Sequence, residues 1–358
     1  MNLGHRHFRS SVLCAFTFFA GLGFAQDPLA ASLVDPDIGP AGSILEPRSI
    51  DQEIKLAGDY FLGHGVARDL KQAAFWYEKA AQAGDPQAQM QIGYFYETGT
   101  GVAKDPVRAV HWYQLADSAG WVAAKVNLGT VYMRGAGVQK DQLLAAKFFR
   151  DAAHQGNGMA ASYLGQMYYF GDGVAQDRAA AEKWYARAAK LHNPQGQYAL
   201  GQLLFVEKDH RHDPEKAASW LRKSAAAGYV PAQYSLGLLL VRNPGLAKSP
   251  AEALPLLKRA ADAGVWQASV VLGVLARDGP LLPVDAKAAY FHFRVAALQG
   301  GDEAKKTVEA DLKSLATQLG PIEVRAIDSQ AETWLPGHHL PIDFDLSQEE
   351  SRYEGPGL

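Results

Sequence analysis

The sequence has 358 residues, with 35 Lys or Arg against 38 Asp or Glu, so its formal net charge at pH 7 is −3. This near-balance excludes the strongly basic surface with which proteins attract nucleic acid or anionic lipid. The single cysteine, Cys14, excludes a disulfide within the chain, so stability has to come from packing.

Residues 1–25 are typical of a secretory signal peptide. Arg6 and Arg9 precede an apolar run of about 14 residues, which is shorter than the ~20 that a membrane-spanning helix needs. The run ends at Gly23-Phe24-Ala25, which places small residues where a signal peptidase reads, and Cys14 lacks the small residues that precede a lipidated cysteine. We expect cleavage after Ala25, a periplasmic or secreted location and no membrane anchor in the mature protein, which would carry 33 basic and 38 acidic residues.

Two stretches lack regular patterning. Residues 26–49 hold four prolines and predict a flexible leader before the fold. Residues 335–358 show no periodicity and predict a loose tail.

Between these stretches the sequence repeats itself every 36 residues. The four-residue pattern Gly-x-Gly-Val begins at Gly63, Gly99, Gly135 and Gly171. A second marker, glycine except at His192, keeps the same step at Gly84, Gly120, Gly156, His192, Gly228, Gly264 and Gly300. A third, aliphatic, marker follows Leu56, Ile92, Leu128, Leu164, Leu200, Leu236 and Leu272. Seven units therefore fill residues 50–301, and a period of this length indicates a solenoid.

Each unit is predicted to form two helices, A and B. In the second unit Ala88, Ile92 and Tyr96 mark the buried side of helix A, and Gly93 predicts a close approach of a neighbouring helix. The Gly-x-Gly turn ends helix A, since glycine readily takes positive φ. A phosphate-binding loop is the alternative reading of Gly99-x-Gly101, but four copies of the turn favour a structural role. Helix B is predicted to begin after an N-cap residue at Asp69, Asp105, Asp141, Asp177, Asp213, Ser249 and Asp285, with proline at the first helical position in Pro106, Pro214 and Pro250.

The composite pattern closely resembles the Sel-one-like repeat family, which is related to tetratricopeptide repeats. The resemblance implies an all-α fold, a right-handed α-α superhelical solenoid that acts as a non-enzymatic scaffold or adaptor for other proteins. Exported bacterial members resemble envelope-assembly, exopolysaccharide-secretion or host-interaction proteins. Some cysteine-rich relatives have been linked to weak β-lactam binding or hydrolysis, but the disulfide-forming cysteines of that branch are absent here.

The later repeats depart from the pattern. The Gly-x-Gly turn is replaced in units five to seven, and Trp76, Trp112, Trp184 and Trp220 give way to Leu256 and His292 at the same step. These departures leave the helix markers and the period in place. Residues 302–334 predict a C-terminal capping helix pair, with Ala304, Val308 and Leu312 in phase with the A helices and a charged opposite side.

No common catalytic motif is present: the sequence lacks Ser-x-x-Lys, Gly-x-Ser-x-Gly, His-Glu-x-x-His and a Walker loop. Two histidine clusters contain side chains that can bind metal. His210 and His212 lie in a lengthened turn beside Asp213, which is already assigned as a cap, and His338-His339 lies in the predicted tail. We expect neither to bind metal, and no cofactor is implied.

The functional surface is expected on helix A, because in related tetratricopeptide solenoids A-helix residues line the inner, concave groove. The positions that correspond here are Phe61, Met90, Tyr94, Glu97, Val126, Met133, Gln166, Tyr169, Tyr198, Gln202, Phe205, Tyr234, Leu238 and Val241. A long apolar and aromatic groove is typical of a site for an extended or helical segment of another protein. Packing against neighbouring repeats is the alternative for each residue.

Three functions stay open at this point. The first is a protein or peptide scaffold in the cell envelope, supported by the repeats, the export signal and the missing catalytic sets. The second is a weak β-lactam-hydrolysing enzyme, and the third is a carbohydrate-binding component of polysaccharide secretion, because aromatic grooves also stack on sugars.

Overall fold

The computed structural model describes residues 48–205, 212–249, 251–279, 281 and 283–334, and its regular elements there are all helical. The predicted signal peptide, most of the leader and the tail lie outside this part of the chain. The A helices are α1 (Ile50–Leu62), α3 (Pro86–Thr98), α5 (Val122–Arg134), α7 (Gly158–Phe170), α9 (Pro194–Phe205), α11 (Val230–Arg242) and α13 (Trp266–Asp278). The B helices are α2 (Leu70–Gln82), α4 (Pro106–Ser118), α6 (Gln142–His154), α8 (Arg178–Lys190), α10 (Pro214–Ala226), α12 (Ala253–Asp262) and α14 (Ala286–Gln299). Each helix packs on the next, so seven helix pairs stack as a solenoid, followed by α15 (Gly301–Leu319) and α16 (Pro321–Trp334).

The predicted N-caps of the B helices are confirmed at six of seven positions. At Asp69, Asp105, Asp141, Asp177, Asp213 and Asp285 the side chain accepts a hydrogen bond from a backbone N–H of the first turn. Ser249 is the exception: α12 begins only at Ala253, after Glu252, and the predicted Pro250 lies outside the described residues. The late start shortens α12 to 10 residues.

The Gly-x-Gly turns join neighbouring repeats as well as ending the A helices. Gly63, Gly99, Gly135 and Gly171 each end an A helix at φ between 76 and 82°. The second glycine of the turn lies directly on the start of the preceding B helix, where a Cβ on Gly101, Gly137 or Gly173 would clash with the backbone of Leu70, Pro106 or Gln142. At Gly65, in the first repeat, no atom lies within 4 Å of that position. The second glycine is therefore a contact between repeats.

Glycine within helix A allows the B helix of the same repeat to approach closely, as predicted for Gly93. A Cβ there would lie 2.7 Å from the Tyr113 ring, and Gly129 meets the Phe149 ring in the same way. The contact recurs with the period, at Gly165 on Tyr185, Gly201 on Leu221, Gly237 on Leu257 and Gly273 on Phe293.

A polar side chain near the start of several A helices binds the end of the preceding B helix. The amides of Gln89, Gln197 and Gln233 donate to the carbonyl oxygens of Ala81, Ala189 and Ala225 at 3.2–3.4 Å. At the same register Lys125 pairs with Asp117. These carbonyl oxygens also accept from the backbone N–H groups of Gly84, His192 and Gly228, so the amide adds a second hydrogen bond that joins helix A to the preceding helix B.

Repeat six replaces the glycine turn with a side-chain network. A short 3-10 helix, Pro244–Leu246, follows α11. Arg222 on α10 donates to both carboxylate oxygens of Glu252, at 2.7 and 3.2 Å, and to the Leu246 carbonyl oxygen. The Arg222 hydrogen bond is the leading cause that lowers the pKa of Glu252. The connection is thus held to the preceding B helix by charge-assisted hydrogen bonds.

The last two helices close the stack as predicted. Ala304 and Val308 of α15 are fully buried and Leu312 is half-buried. Ion pairs tie both helices to the last repeat: Arg277 pairs with Asp311 of α15, and Lys287 and Arg294 pair with Glu323 and Asp328 of α16 at 2.6 and 2.9 Å. Within the described ranges no helix is long and apolar enough to cross a membrane.

Candidate functional site

Four of the predicted groove residues lie in the core. Val126, Tyr198 and Tyr234 are each 3% exposed and Tyr169 is 8% exposed. Val126 packs in a cluster with the following repeat, and Tyr169 packs with Leu200 and Leu203 of α9. The expectation that these four face a partner is corrected: side chains of neighbouring helices cover them.

Four further residues of the set are partly covered by the core. Phe61, Met133, Phe205 and Val241 are half-buried and pack against core clusters. Their shared register, at or near the end of helix A, faces the neighbouring repeat. Because most of each side chain is covered, these residues leave little area for a partner to contact.

Glu97 has a structural role as well. The Tyr113 hydroxyl on α4 donates to the Glu97 carboxylate at 2.7 Å, which ties helix B to helix A. Burial, followed by the Glu97 charge, raises the pKa of Tyr113 above its usual value. The hydroxyl therefore stays protonated and keeps donating.

The predicted residues that keep exposed surface include one register of helix A. Tyr94 is 45% exposed, and Gln166, Gln202 and Leu238 are half-buried. Their numbers differ by multiples of 36, and the same register adds Thr130, which the sequence-based set omitted. We call Tyr94, Thr130, Gln166, Gln202 and Leu238 the A-helix row. Met90, also half-buried, lies four residues before Tyr94 on α3.

The A-helix row carries no charge and offers hydrogen-bonding groups over most of its length. Thr130 donates its hydroxyl to the Asn127 carbonyl oxygen at 2.8 Å, and the Gln202 amide donates to the Tyr198 hydroxyl at 3.3 Å. Each primary amide has more donors and acceptors than these contacts use. The row can therefore hydrogen-bond the backbone of another chain without ion pairing. The signal in the sequence was the period itself, because every member lies two residues after the buried aliphatic marker of its helix.

The histidine turn shows no metal set where it is described. His212 forms a hydrogen bond between its Nδ1 and the Phe205 carbonyl oxygen at 3.0 Å, and Asp213 caps α10. The remaining candidates, His210 and His338-His339, lie outside the described residues. Among the residues that are described, no three His, Cys, Asp or Glu side chains come together as a metal site.

The chain is similar to several solved structures. A Sel1 repeat protein from Oxalobacter formigenes is 29% identical, with a TM-score of 0.60, and the match covers 72% of this chain and all of that one. The c5321 protective antigen of uropathogenic Escherichia coli, with an SLR fold, is 24% identical over 81% of this chain and 84% of its own, with a TM-score of 0.34. Immunity protein Pa5087 from Pseudomonas aeruginosa is 20% identical over 72% and 85%, with a TM-score of 0.31. No functionally curated protein matches the chain.

The repeat pattern also matches a known family over most of the chain. The Sel1 repeat profile matches seven times in succession, at residues 53–85, 86–120, 122–157, 158–193, 194–229, 230–265 and 267–301. These matches follow the helix pairs α1–α2 to α13–α14. Sel1 repeats generally form a non-catalytic protein-interaction fold. The chain belongs to the Sel1 repeat family.

Proposed function

We propose that this protein is a scaffold of the bacterial cell envelope that binds an extended segment of another protein along the A-helix row. The observation that carries the proposal is the row itself, one surface-accessible side chain from each of five consecutive A helices at a constant register. A rigid stack of repeats holds these groups at regular intervals, which suits a ligand that also has a regular spacing.

The spacing of the row fits an extended peptide. An extended chain rises about 3.3 Å per residue, so a ligand that contacts one row residue in each repeat would have several residues between successive contacts. Gln166 and Gln202 would hydrogen-bond the ligand backbone, and Tyr94 would supply a large contact area at low entropy cost.

Site-directed photo-crosslinking tests the proposal in producing cells. We expect p-benzoylphenylalanine at Tyr94 to give a discrete cross-linked product, identified by mass spectrometry. The same residue at Leu143 is the matched control, because Leu143 is 74% exposed but lies on a B helix. Equal products from both positions would mean that the A-helix row is not the binding surface.

A binding measurement with the identified partner provides the second test. The double variant Tyr94→Ala, Gln166→Ala should weaken binding by roughly tenfold or more, because a few central residues carry most of the energy of an interface. Val107→Ser with Leu143→Ser alters two exposed apolar B-helix residues and should leave affinity unchanged. Circular dichroism checks that both variants keep their helices.

The envelope location is tested separately. Residues 1–25 have the pattern of a signal peptide, so we expect the protein in the periplasmic or culture fraction with Gln26 as its first residue. Fractionation followed by N-terminal sequencing checks this. A cytoplasmic product that keeps its first 25 residues would refute the location and leave the binding proposal intact.

A further inference from the structure

A cavity of about 450 Å³ lies near the C-terminal end of the stack, away from the A-helix row. Its walls come from α12, α13, α14 and α16, with Leu272, Phe291 and Trp334 among the apolar lining residues. The Phe291 and Trp334 rings meet edge to face, with centroids 6.4 Å apart. The volume is within the range of natural small-molecule sites.

The cavity coincides with a change in the repeat pattern. His292 lines it, at the register where Trp76, Trp112, Trp184 and Trp220 stand in earlier repeats. Imidazole is smaller than indole, so repeat seven has less side-chain volume at this position than those repeats. The space beside His292 is bounded on its far side by α16, which packs on α14.

The cavity has few charged groups, and they differ in whether an ion pair balances their charge. Lys287 pairs with Glu323 at 2.6 Å, so its charge is largely balanced. Lys258 forms no ion pair with any described residue, and it lies close enough to His292 to act on its ionisation. Burial, with a further contribution from Lys258, lowers the pKa of His292 to about 4, so the imidazole is neutral near pH 7. Asp262, one turn after Lys258 on α12, is exposed and lines the same cavity.

We propose that this cavity binds a small organic anion with an apolar body, such as a medium-chain carboxylate. The apolar part lies against Leu272, Phe291 and Trp334, and the anionic group pairs with the Lys258 ammonium. The neutral imidazole of His292 has a donor and an acceptor with which to hydrogen-bond the same group. A cation is disfavoured beside the imidazole because the charge that acts on His292 is that of the Lys258 ammonium.

The test uses the purified mature chain and the fluorescent anion 1-anilinonaphthalene-8-sulfonate. Titration should give saturable binding, and octanoate should displace the probe at lower concentration than octanol, with octylammonium weaker still. Equal displacement by octanoate and octanol would overturn the assignment of an anion site. The order of the three competitors reports the charge preference directly, since they share one apolar chain.

Substitutions of lining residues test whether the probe binds in the cavity. Lys258→Gln should weaken binding roughly fivefold and Asp262→Asn should strengthen it, because each removes one charge near the anion. Lys306→Gln, an exposed α15 lysine that does not line the cavity, is the matched control and should change nothing.

Filling the cavity is the remaining test. His292→Trp restores the side chain of the earlier repeats and should abolish binding. Ala288→Phe fills the same space from α14 and covers the case in which the first variant does not fold, as judged by circular dichroism. Saturable binding that persists unchanged in a folded cavity-filling variant would refute the proposal, because the probe would then lie elsewhere.

Discussion

Repeats one to four and repeats five to seven build the same helix pair but secure its connection in different ways. In repeats two to four a glycine backbone lies directly on the preceding B helix. In repeat six the Arg222 side chain reaches from the preceding B helix to Glu252 and the Leu246 carbonyl oxygen. The neighbour is the preceding B helix in both cases, but the glycines lie on its first residue and Arg222 projects from its second half. A connection without the glycine turn can therefore still be attached to the preceding repeat.

The largest expected effect comes from filling one glycine contact. Gly137→Ala places a Cβ 2.5 Å from the Pro106 backbone carbon at φ 77°, so both a clash and left-handed strain oppose it. We expect a loss of at least about 3 kcal/mol in unfolding free energy. Urea titration followed by circular dichroism measures it.

Gly245 is the matched control in repeat six. It lies in the 3-10 helix, has no atom within 4 Å of its Cβ position, and does not adopt positive φ. Gly245→Ala should change stability by less than about 0.5 kcal/mol. Equal losses in the two variants would contradict the contrast between the two halves.

A smaller effect is expected from pH, at the register where repeat seven has His292 in place of tryptophan. The folded pKa of about 4 is below the unfolded value of 6.5, so the unfolded state binds more protons between these values. Stability is therefore full above pH 6.5 and declines as pH falls toward 4. The histidine should cost about 2 kcal/mol at pH 5 relative to pH 7.5.

His292→Phe isolates this contribution, because phenylalanine does not titrate. The variant should lose about 2 kcal/mol less than the wild type between pH 7.5 and pH 5 in urea titrations. His111→Phe changes an exposed histidine on α4 and serves as the control. If His292→Phe and wild type lose the same free energy, the imidazole is not kept neutral by burial.

The smallest expected effect concerns one loop between repeats. His192 has φ 58°, where the equivalent residues Gly84, Gly120 and Gly156 have φ of 83–95°. His192→Gly should raise stability by roughly 0.5–1 kcal/mol, because the left-handed strain is relieved at some cost in unfolded-state entropy. Gly156→Ala should lower it by about as much, since nothing lies within 4 Å of its Cβ position and only the backbone opposes the change. Thermal unfolding of the pair checks both signs.

Local rules of backbone and capping made much of the fold predictable. Glycine at positive φ and aspartate before a helix each act over a few residues, and the constant period recurs within the chain. One sequence is therefore enough to recognise all three. Ser249 shows where such rules fail. Its sequence resembles a cap followed by proline, but α12 begins after Glu252, whose carboxylate accepts from Arg222, 30 residues earlier in the sequence.

The candidate surface was harder to predict because the exposure of a side chain also depends on residues that are distant in the sequence. Met90, Val126, Tyr198 and Tyr234 share a register, but the first is half-buried and the others are core. Exposure at this register differs between repeats with the side chains packed around it, which a hydrophobic pattern does not encode. All five residues of the A-helix row keep accessible surface. They are of four different residue types, so no shared residue type marks this register in the sequence.

The glycines that lie on the preceding B helix also bear on how the length of such a protein can change. Gly101, Gly137 and Gly173 meet equivalent backbone in successive units, so the surfaces on either side of a missing unit would still fit each other. Excising one 36-residue unit from the second to fourth repeats would shorten the array without creating a new kind of interface. Among the residues that the structure describes, the first repeat and α15–α16 each contact a repeat on one side only, so removing either would expose a surface that is now covered.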